Sequence, residues 1–350
     1  VLTVLGTITL FTGTMQALRQ EQSKRLLAFH SIGQMGYIML GTGACMLLLG
    51  RGNVHCSAIG AVGLTGALFH VLNHGVFKAL LFLNAGSLLW AVETQDLNKL
   101  GGLLKLMPVT AVTAGVASLS IAGVPMFNGF ASKWHIYVAS FLASREIHYL
   151  ALCGLLALFT SGLTLASFMK FFGSSFLGRR SAWVNERLAE KGRLEVVGLM
   201  RVPQVFLSLV CILLGMVPAL GTDLVARALS TSHQGWGEEM AAGLATVSRS
   251  LWGTGVSDGA ACFSPVAIGL ALGTGFAFAA LLTGAGGAGR RAATPWLCGY
   301  AIENEHNRYR AHGYYWDVKK LFRWLGGGGR VERLESDGTA SGSRHRGERV

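Results

Sequence analysis

Acidic residues are scarce in this sequence, and its long apolar runs contain none. The 350 residues include 18 Asp and Glu against 30 Lys and Arg, and charged residues make up only 14% of the chain. Hydrophobic residues make up 51% and the mean hydropathy is +0.45, which is too apolar for an ordinary soluble domain. The Lys and Arg residues lie mostly between and after the apolar runs and form no patterned basic surface, which excludes a nucleic-acid partner. The composition predicts a membrane protein in contact with the lipid bilayer.

Cysteines are few and scattered, which excludes a disulfide framework and a cysteine metal site. No two of them form a CxxC pair or a metal-ligand spacing, and most lie in apolar runs where a small buried side chain is expected. We therefore predict no metal and no cofactor bound by this chain. The six are Cys45, Cys56, Cys153, Cys211, Cys262 and Cys298.

The apolar runs predict an all-α, polytopic bundle of about seven transmembrane spans. A bilayer core roughly 30 Å thick needs about 20 apolar residues in a helix. The fourth run is too long for one straight helix, so one span should be discontinuous. The first run lies at the start of the sequence without a basic segment before it, so we expect no signal peptide and interpret the chain as a fragment or a cleaved product. The runs are Val1–Leu18, Phe29–Gly50, Leu64–Trp90, Met107–Phe141, Leu150–Phe171, Val202–Leu220 and Pro265–Thr283.

The distribution of Lys and Arg predicts the orientation of the spans. Basic residues collect after the first, third and fifth runs and are sparse in the alternate connections. Under the positive-inside rule, the odd-numbered spans end in the cytoplasm, and the tail from Arg290 is cytoplasmic too. We predict a multi-pass protein of a bacterial inner membrane. Its parts are a transmembrane half-domain at 1–222, a non-cytoplasmic loop at 223–263, a further span at 264–284 and a basic tail at 285–350.

The tail mixes aromatic and basic residues before it becomes polar. The segment NEHNRYRAHGYYWDVKKLFRWL suits an amphipathic helix lying at the membrane interface, although a solvated linker is the alternative. The following GGGGRVERLESDGTASGSRHRGERV has almost no large apolar residue, and we expect it to be disordered.

Three titratable residues lie inside the third run, in the stretch HVLNHGVFKALLF. His70, His74 and Lys78 are spaced four residues apart, which stacks them on one helical face about 6 Å apart in height. Histidine can accept a proton on one ring nitrogen while it donates from the other, and a lysine in a low-dielectric setting releases its proton more readily than in water. The column favours proton transfer. A metal or haem pair with HxxxH spacing, and a purely structural histidine pair, remain the alternatives.

The fourth run carries a second set of residues. Gly123, Pro125 and Gly129 lie near its middle, and proline removes a backbone donor, so the helix should break there. Broken helices in membranes line protein-covered cavities and ion sites. Lys133 lies about two turns beyond Pro125 and is predicted to face such a cavity; the alternative is a lysine that reaches the interface. His135 is expected at the interface.

Three accessory residues are weaker candidates for the same path. His30 and Gln34 lie at a similar level in the second run and are predicted to line a cytoplasmic water entrance. Lys170 lies near the cytoplasmic end of its run, where it could also reach lipid headgroups. Because none of the seven runs contains Asp or Glu, the carboxylate that proton carriers usually pair with lysine must come from another chain or another part of the protein.

Four motifs together resemble the proton-translocating antiporter family. That family comprises the antiporter-like membrane subunits of respiratory complex I, the large membrane subunits of energy-converting hydrogenases and formate hydrogenlyase, and the multisubunit cation/proton antiporters. The resemblance covers about residues 1–220 and implies the second half of a family member, from the ninth helix onward. The motifs are QSKRLLAFHSIGQMGYIMLG, ALFHVLNHGVFKALLFLNAGS, DLNKLGGLLKLMPVTA and GVPMFNGFASKWHIY.

The resemblance implies roles for the residues singled out above. His70, His74 and Lys78 match the histidine and lysine helix of the family's second-half proton channel, and Lys133 matches the terminal lysine or glutamate on its broken helix. The implied function is proton translocation within a redox-driven complex of the hydrogenase or complex I type. The implied partners are other membrane subunits and, indirectly, peripheral iron–sulfur subunits. A multisubunit cation/proton antiporter subunit, a non-conducting scaffold and a haem-binding electron carrier are the alternatives.

Overall fold

The computed structural model describes residues 1–51, 54–231, 248–250, 253–256, 261–287, 305 and 308–326. Helices dominate these ranges, joined by short connections, some of which form single turns of 3-10 helix. The α-helices are α1 Leu2–Arg19, α2 Ser23–Leu49, α3 Val54–Val92, α4 Pro108–Ala122, α5 Asn128–Ala143, α6 Tyr149–Phe176, α7 Ala182–Lys191, α8 Gly198–Met216, α9 Pro218–Ser230, α10 Pro265–Ala285 and α11 Trp316–Leu321.

The predicted all-α membrane bundle is confirmed. Five of the described helices, α2, α3, α6, α8 and α10, are long and apolar enough to cross a membrane. The seven predicted runs differ from these because α1 and the two halves of the fourth run form shorter or less apolar helices. The helix at the third run is also longer than predicted, since α3 begins well before Leu64.

Small residues set the close packing of the first two helices. Gly13 of α1 lies against α2, where a Cβ on Gly13 would stand 2.7 Å from the amide nitrogen of Gly33. Such contacts let two helix backbones approach closely, which is a common way for helices to associate in lipid. The first turn of α2 and the end of α1 are thereby brought beside each other.

The predicted discontinuity of the fourth run is confirmed. Helix α4 ends at Ala122 and α5 begins at Asn128. Gly123 closes α4 in the left-handed region with φ 76°, and its amide donates to the Ser120 carbonyl at 3.0 Å. Pro125 lies in the break, and Met126 also takes a left-handed φ of 78°. Gly129, in contrast, lies in the first turn of α5, packed against the Ser120 carbonyl.

The described parts of the segment predicted as the loop 223–263 form regular secondary structure. It begins inside α9, and three short strands, β1 Ser248–Ser250, β2 Gly253–Val256 and β3 Ala261–Phe263, form an antiparallel sheet in chain order. The ring of Phe263 packs 4.9 Å from that of Phe130 on α5. Residues 232–247 of this segment lie outside the described ranges.

Apolar side chains cover the outer faces of several helices, as expected for surfaces in contact with lipid. Along α10, only Pro265 is buried within the described structure. The outward side chains of α6 and α8 include Leu152, Leu155, Phe159, Phe206, Leu209 and Leu213.

One end of the bundle gathers the connections after α1, α3 and α6 together with tail residues 308–326; we call it the tail end. The Ser23 amide donates to the Gln95 carbonyl at 2.9 Å, and the Gly102 amide donates to the Leu177 carbonyl at 3.0 Å. These connections are the ones rich in Lys and Arg, so the three predicted cytoplasmic connections do lie on one side. That this side is the cytoplasmic one remains a prediction.

The tail packs against the bundle instead of forming one long amphipathic helix. Within the predicted interfacial segment, the described helical parts are α11 and a 3-10 turn at Arg323–Leu325. Gln16 donates to the Leu325 carbonyl at 2.8 Å, and the rings of Phe11 and Phe322 lie 6.0 Å apart. Of the predicted disordered end, which begins at Gly326, the residues from 327 onward lie outside the described ranges.

We predict that Gly123→Ala destabilises the protein by about 1 to 2 kcal/mol, because an L-residue is strained at a left-handed φ. The added Cβ would also lie 3.1 Å from Cδ of Lys133. Gly162→Ala is the matched control, since a Cβ there meets nothing within 4 Å. Thermal unfolding in detergent should show a lower midpoint for the first variant only, and equal midpoints would contradict the requirement for glycine.

Candidate functional site

The break between α4 and α5 leaves backbone carbonyls at the end of α4 without helical partners. Lys133, one turn into α5, fills this position. Its Nζ donates to the Ile121 carbonyl at 2.9 Å, and its side chain is completely buried. The negative end of a helix dipole favours a cation at this place. The break and the lysine therefore form one structural unit.

Hydroxyl groups complete the surroundings of the Lys133 ammonium. Nζ donates to Ser161 Oγ of α6 at 3.2 Å and lies 4.5 Å from the centre of the Tyr37 ring. The same Ser161 oxygen contacts the hydroxyl of Tyr137 at 2.6 Å and that of Tyr37 at 3.0 Å. Each of these hydroxyls can donate and accept, so this cluster can relay a proton to or from Lys133.

His70 links this cluster to the histidine and lysine face of α3. Its Nδ1 lies 2.9 Å from Ser132 Oγ, next to Lys133 in sequence, and its Nε2 lies 3.2 Å from Gln34 Oε1 of α2. The rings of His70 and His74 are stacked, with centroids 6.4 Å apart. His74 Nε2 makes no hydrogen bond to any of the described residues. It can therefore accept a proton without losing an existing contact.

Lys78 stands one further turn along α3 and is 6% exposed. Its Nζ donates to the Leu27 carbonyl in the first turns of α2, and Nζ lies 5.9 Å from the centre of the Phe82 ring. The three residues of the column thus reach from the helix break to the start of α2.

His30 and Lys170 continue the set of buried groups towards the tail end. His30 Nε2 lies 2.8 Å from Ser167 Oγ, and Lys170 follows Ser167 by one turn of α6. The Lys170 Nζ donates to the Leu18 carbonyl at 2.7 Å and to the Gln20 carbonyl at 2.5 Å, where α1 ends. Lys170 is therefore bound at the C-terminus of a helix, as Lys133 is.

The three buried lysines share one electrostatic feature. Across the described ranges, no ion pair joins Lys78, Lys133 or Lys170 to an Asp or Glu. Their partners are backbone carbonyls and a hydroxyl. A lysine held in this way can become a neutral amine without leaving a buried carboxylate unpaired.

Several alternatives from the sequence do not agree with this geometry. Lys133 and Lys170 are fully buried inside the protein, which disagrees with side chains that extend out of it towards lipid headgroups. His135 was expected at the interface; that prediction is wrong, because the side chain is buried and its Nδ1 contacts the Ala131 carbonyl at 2.8 Å. The position on the inward face of α5 explains this burial.

A metal pair at His70 and His74 is not supported by the local contacts. Both ring nitrogens of His70 already have hydrogen-bond partners. In the part of the chain that the structure describes, no group of three or more His, Cys, Asp or Glu side chains comes together to hold a metal ion.

The sequence did not identify the hydroxyl groups of the site. The tyrosines are Tyr37 and Tyr137, and the serines are Ser132, Ser161 and Ser167. Tyr37 follows Gln34 by one helical turn, and Ser132 precedes Lys133, so both had a positional signal. Ser161 and Ser167 had none, because their role depends on how α6 packs against α2 and α5.

One buried acid was also missed, and it has a structural role. The Glu195 carboxylate caps the start of α4, accepting from the Val109 amide at 2.9 Å and from the Thr110 hydroxyl at 2.7 Å. It stabilises a helix N-terminus that has no cap of its own. It therefore fixes α4, whose other end supplies the carbonyl for Lys133.

We predict that Lys133 and Lys170 resist a water-soluble amine-modifying reagent in the folded, detergent-solubilised protein. Lys105 and Lys320 are exposed and should be modified quickly. Mass spectrometry of the digested protein gives the extent of modification at each lysine, and denatured protein provides the control in which all four react. Equal modification of Lys133 and Lys105 in the folded protein would contradict the burial described here.

Residues 1–161 match the transmembrane family described as NADH:quinone oxidoreductase/Mrp antiporter. Hydrogenase-4 component B of Escherichia coli (strain K12) is 37% identical over 218 residues, a match that covers 61% of this chain and 31% of the relative. Na(+)/H(+) antiporter subunit A1 of Staphylococcus aureus (strain JH9) is 34% identical over 239 residues, covering 66% of this chain and 29% of the relative. The chain thus spans about a third of the length of these relatives.

The fold is similar to that of a known membrane complex. A chain of the membrane-bound sulfane sulfur reductase, an archaeal respiratory membrane complex, superposes with a TM-score of 0.68 at 23% identity, covering 92% of this chain and 47% of that one. At this level of identity the similarity concerns the fold alone. Together with the apolar helices, the matches establish a multi-pass membrane protein. Residues 1–161, which make up somewhat less than half of this chain, are similar to the antiporter-like transmembrane family shared by NADH:quinone oxidoreductase and the Mrp antiporters.

Proposed function

We propose that this chain is a proton-translocating membrane subunit of a redox-driven complex of the hydrogenase or NADH:quinone oxidoreductase type. The single observation that carries the proposal is the set of buried lysines and histidines on α2, α3, α5 and α6, which begins at the helix break and ends at the tail end. An intramembrane lysine is expensive to bury and is by default a functional residue.

Each residue of the set has a role in this proposal. Lys78 is the central proton store, since it is the last residue of the column and contacts the carbonyl of Leu27, three residues before His30. His70 and His74 are the relay, and Lys133 is the exit-side group, in contact with the Ser161 and tyrosine hydroxyls. His30, Gln34 and Lys170 are accessory groups towards the tail end. Gln34 holds His70 in orientation through its amide oxygen.

The energy for uphill transport comes from outside this chain in the proposal. Moving one proton against 100 mV costs roughly 2.3 kcal/mol. We infer that electron transfer in partner subunits supplies this energy by changing the charges near the buried lysines. The partners would be other membrane subunits and, indirectly, peripheral iron–sulfur proteins. The complex would lie in a bacterial inner membrane with the tail in the cytoplasm.

We predict that Lys78→Met and Lys133→Met each abolish turnover-linked proton translocation, because methionine keeps the apolar volume but cannot carry a proton. The complex would be isolated in mild detergent through a tag on this chain and reconstituted into liposomes with a pH-sensitive dye. Lys105→Met is the matched control, since Lys105 is exposed. Native proton translocation in both buried-lysine variants would show that the proposal is wrong.

The second candidate is a subunit of a cation/proton antiporter, which the 34% identity to the Na(+)/H(+) antiporter subunit favours. The same proteoliposomes separate the two functions. With an imposed pH gradient and no electron donor, sodium uptake would be expected of the antiporter and not of the redox-driven pump. The subunits that co-purify with the chain provide an independent answer, since iron–sulfur proteins are expected only with the redox-driven complex.

A further inference from the structure

The buried set reaches the tail end at Lys170, beside an acidic residue. The Lys170 ammonium is held by the carbonyls of Leu18 and Gln20, and Glu21 is the next residue in the chain. Glu21 is thus the acidic residue next in sequence to Gln20, one of the two residues whose carbonyls hold Lys170. Its side chain is 32% exposed, whereas Lys170 is fully buried. Glu21 is therefore the partly exposed acid next in sequence to the residues that hold the buried Lys170.

Groups from two other parts of the chain surround the Glu21 carboxylate. His312 of the tail contacts it through Nδ1 at 2.8 Å, and Lys319 Nζ lies 3.8 Å from the same oxygen. Asn98, in the connection after α3, donates to the second oxygen at 2.8 Å. Burial lowers the pKa of Lys319, and the Glu21 carboxylate opposes this shift. The side chain of His312 is 42% exposed to solvent.

The tail is fixed in this position by contacts on either side of His312. The Arg308 guanidinium donates to the Asn98 carbonyl at 2.5 Å, and Arg19 donates to the Arg323 carbonyl at 3.1 Å. The His312 amide itself donates to Asn98 Oδ1 at 2.8 Å. These contacts hold His312 on the carboxylate, so its position does not depend on one hydrogen bond.

From Lys170 the remaining steps inward are each about one helical turn. Ser167 precedes Lys170 by three residues on α6 and contacts His30 at 2.8 Å. Leu27 precedes His30 by three residues on α2, and its carbonyl accepts from Lys78. Titratable side chains and one serine hydroxyl therefore lie at intervals between the surface at His312 and the central lysine Lys78.

We propose that Glu21 and His312 form the proton entrance of the relay, with the tail segment 308–326 as a working part of that entrance. In this step, Glu21 takes a proton from water or from His312 and passes it to the neutral amine of Lys170, and the carboxylate is restored. The inference rests on the proposed function, since it assigns the point at which the same relay takes up protons. In this proposal, the carboxylate of the proton path belongs to this chain itself and lies outside its apolar helices.

The test uses the whole complex, oriented in liposomes, with the rate of proton uptake measured on the tail side during turnover. Glu21→Gln keeps the contacts to Asn98 but cannot carry a proton, so we expect uptake to slow by about 10²-fold, the typical contribution of a positioned proton donor. Glu146→Gln is the matched control, because Glu146 is an exposed acid near Arg51 at the opposite end of the bundle. Added acetate, a small proton carrier, should restore uptake in Glu21→Gln and leave the control unchanged.

Three results would overturn the entrance. The first is a native rate of proton uptake in Glu21→Gln while Lys78→Met is inactive. This result would support the relay but show that its entrance is not at Glu21. The second is slow uptake that acetate does not restore, which would mean that Glu21 only holds the tail in place. The third is a native rate of proton uptake in Lys78→Met. This result would contradict the proposed function, and the proposed entrance would be rejected with it.

Discussion

The arrangement of this protein depends on how ammonium groups are satisfied inside an apolar bundle. A buried polar group without partners is costly, and a buried charge is more costly still. For two of the three buried lysines, the partners are carbonyl oxygens at places where helices end, whereas Lys78 uses the Leu27 carbonyl within α2. Lys133 uses the end of α4, and Lys170 uses the end of α1. The helix break at Gly123 thus has an energetic role, because it places a free carbonyl inside the bundle where a continuous helix would have none.

Carbonyl partners have a consequence for proton transfer that carboxylate partners would not have. A lysine paired with a buried carboxylate is held in its charged form, since losing the proton would leave an isolated anion in a low dielectric. A lysine held by neutral dipoles can release its proton and remain hydrogen-bonded as an amine. The absence of Asp and Glu from the apolar runs is therefore compatible with lysines that load and unload protons.

The sequence predicted the features that depend on one helix at a time. The spacing of His70, His74 and Lys78 was enough to place them on one face, and Pro125 was enough to predict the break. Contacts between helices were not predictable in this way. Burial of Lys170 requires the end of α1, about 150 residues earlier in the chain, and the Tyr137 hydroxyl becomes important only because Ser161 faces it. The tail required contacts over still longer separations, such as Gln16 to Leu325.

The two ends of the buried set differ in chemistry, and this difference has a physical consequence. At the tail end, an exposed histidine and a carboxylate lie beside Lys170, whereas at the helix break Lys133 meets only hydroxyls and a carbonyl. Like charges disfavour each other in a low dielectric, so a proton on one lysine weakens the hold of the next on its own proton. Near Lys170 the Glu21 carboxylate lies 3.8 Å from the Lys319 ammonium, so charges of both signs meet there, whereas no described acid pairs with Lys133. The two ends therefore differ in charge and exposure: the tail end carries a partly exposed carboxylate and histidine, whereas the helix break offers the buried Lys133 only neutral partners.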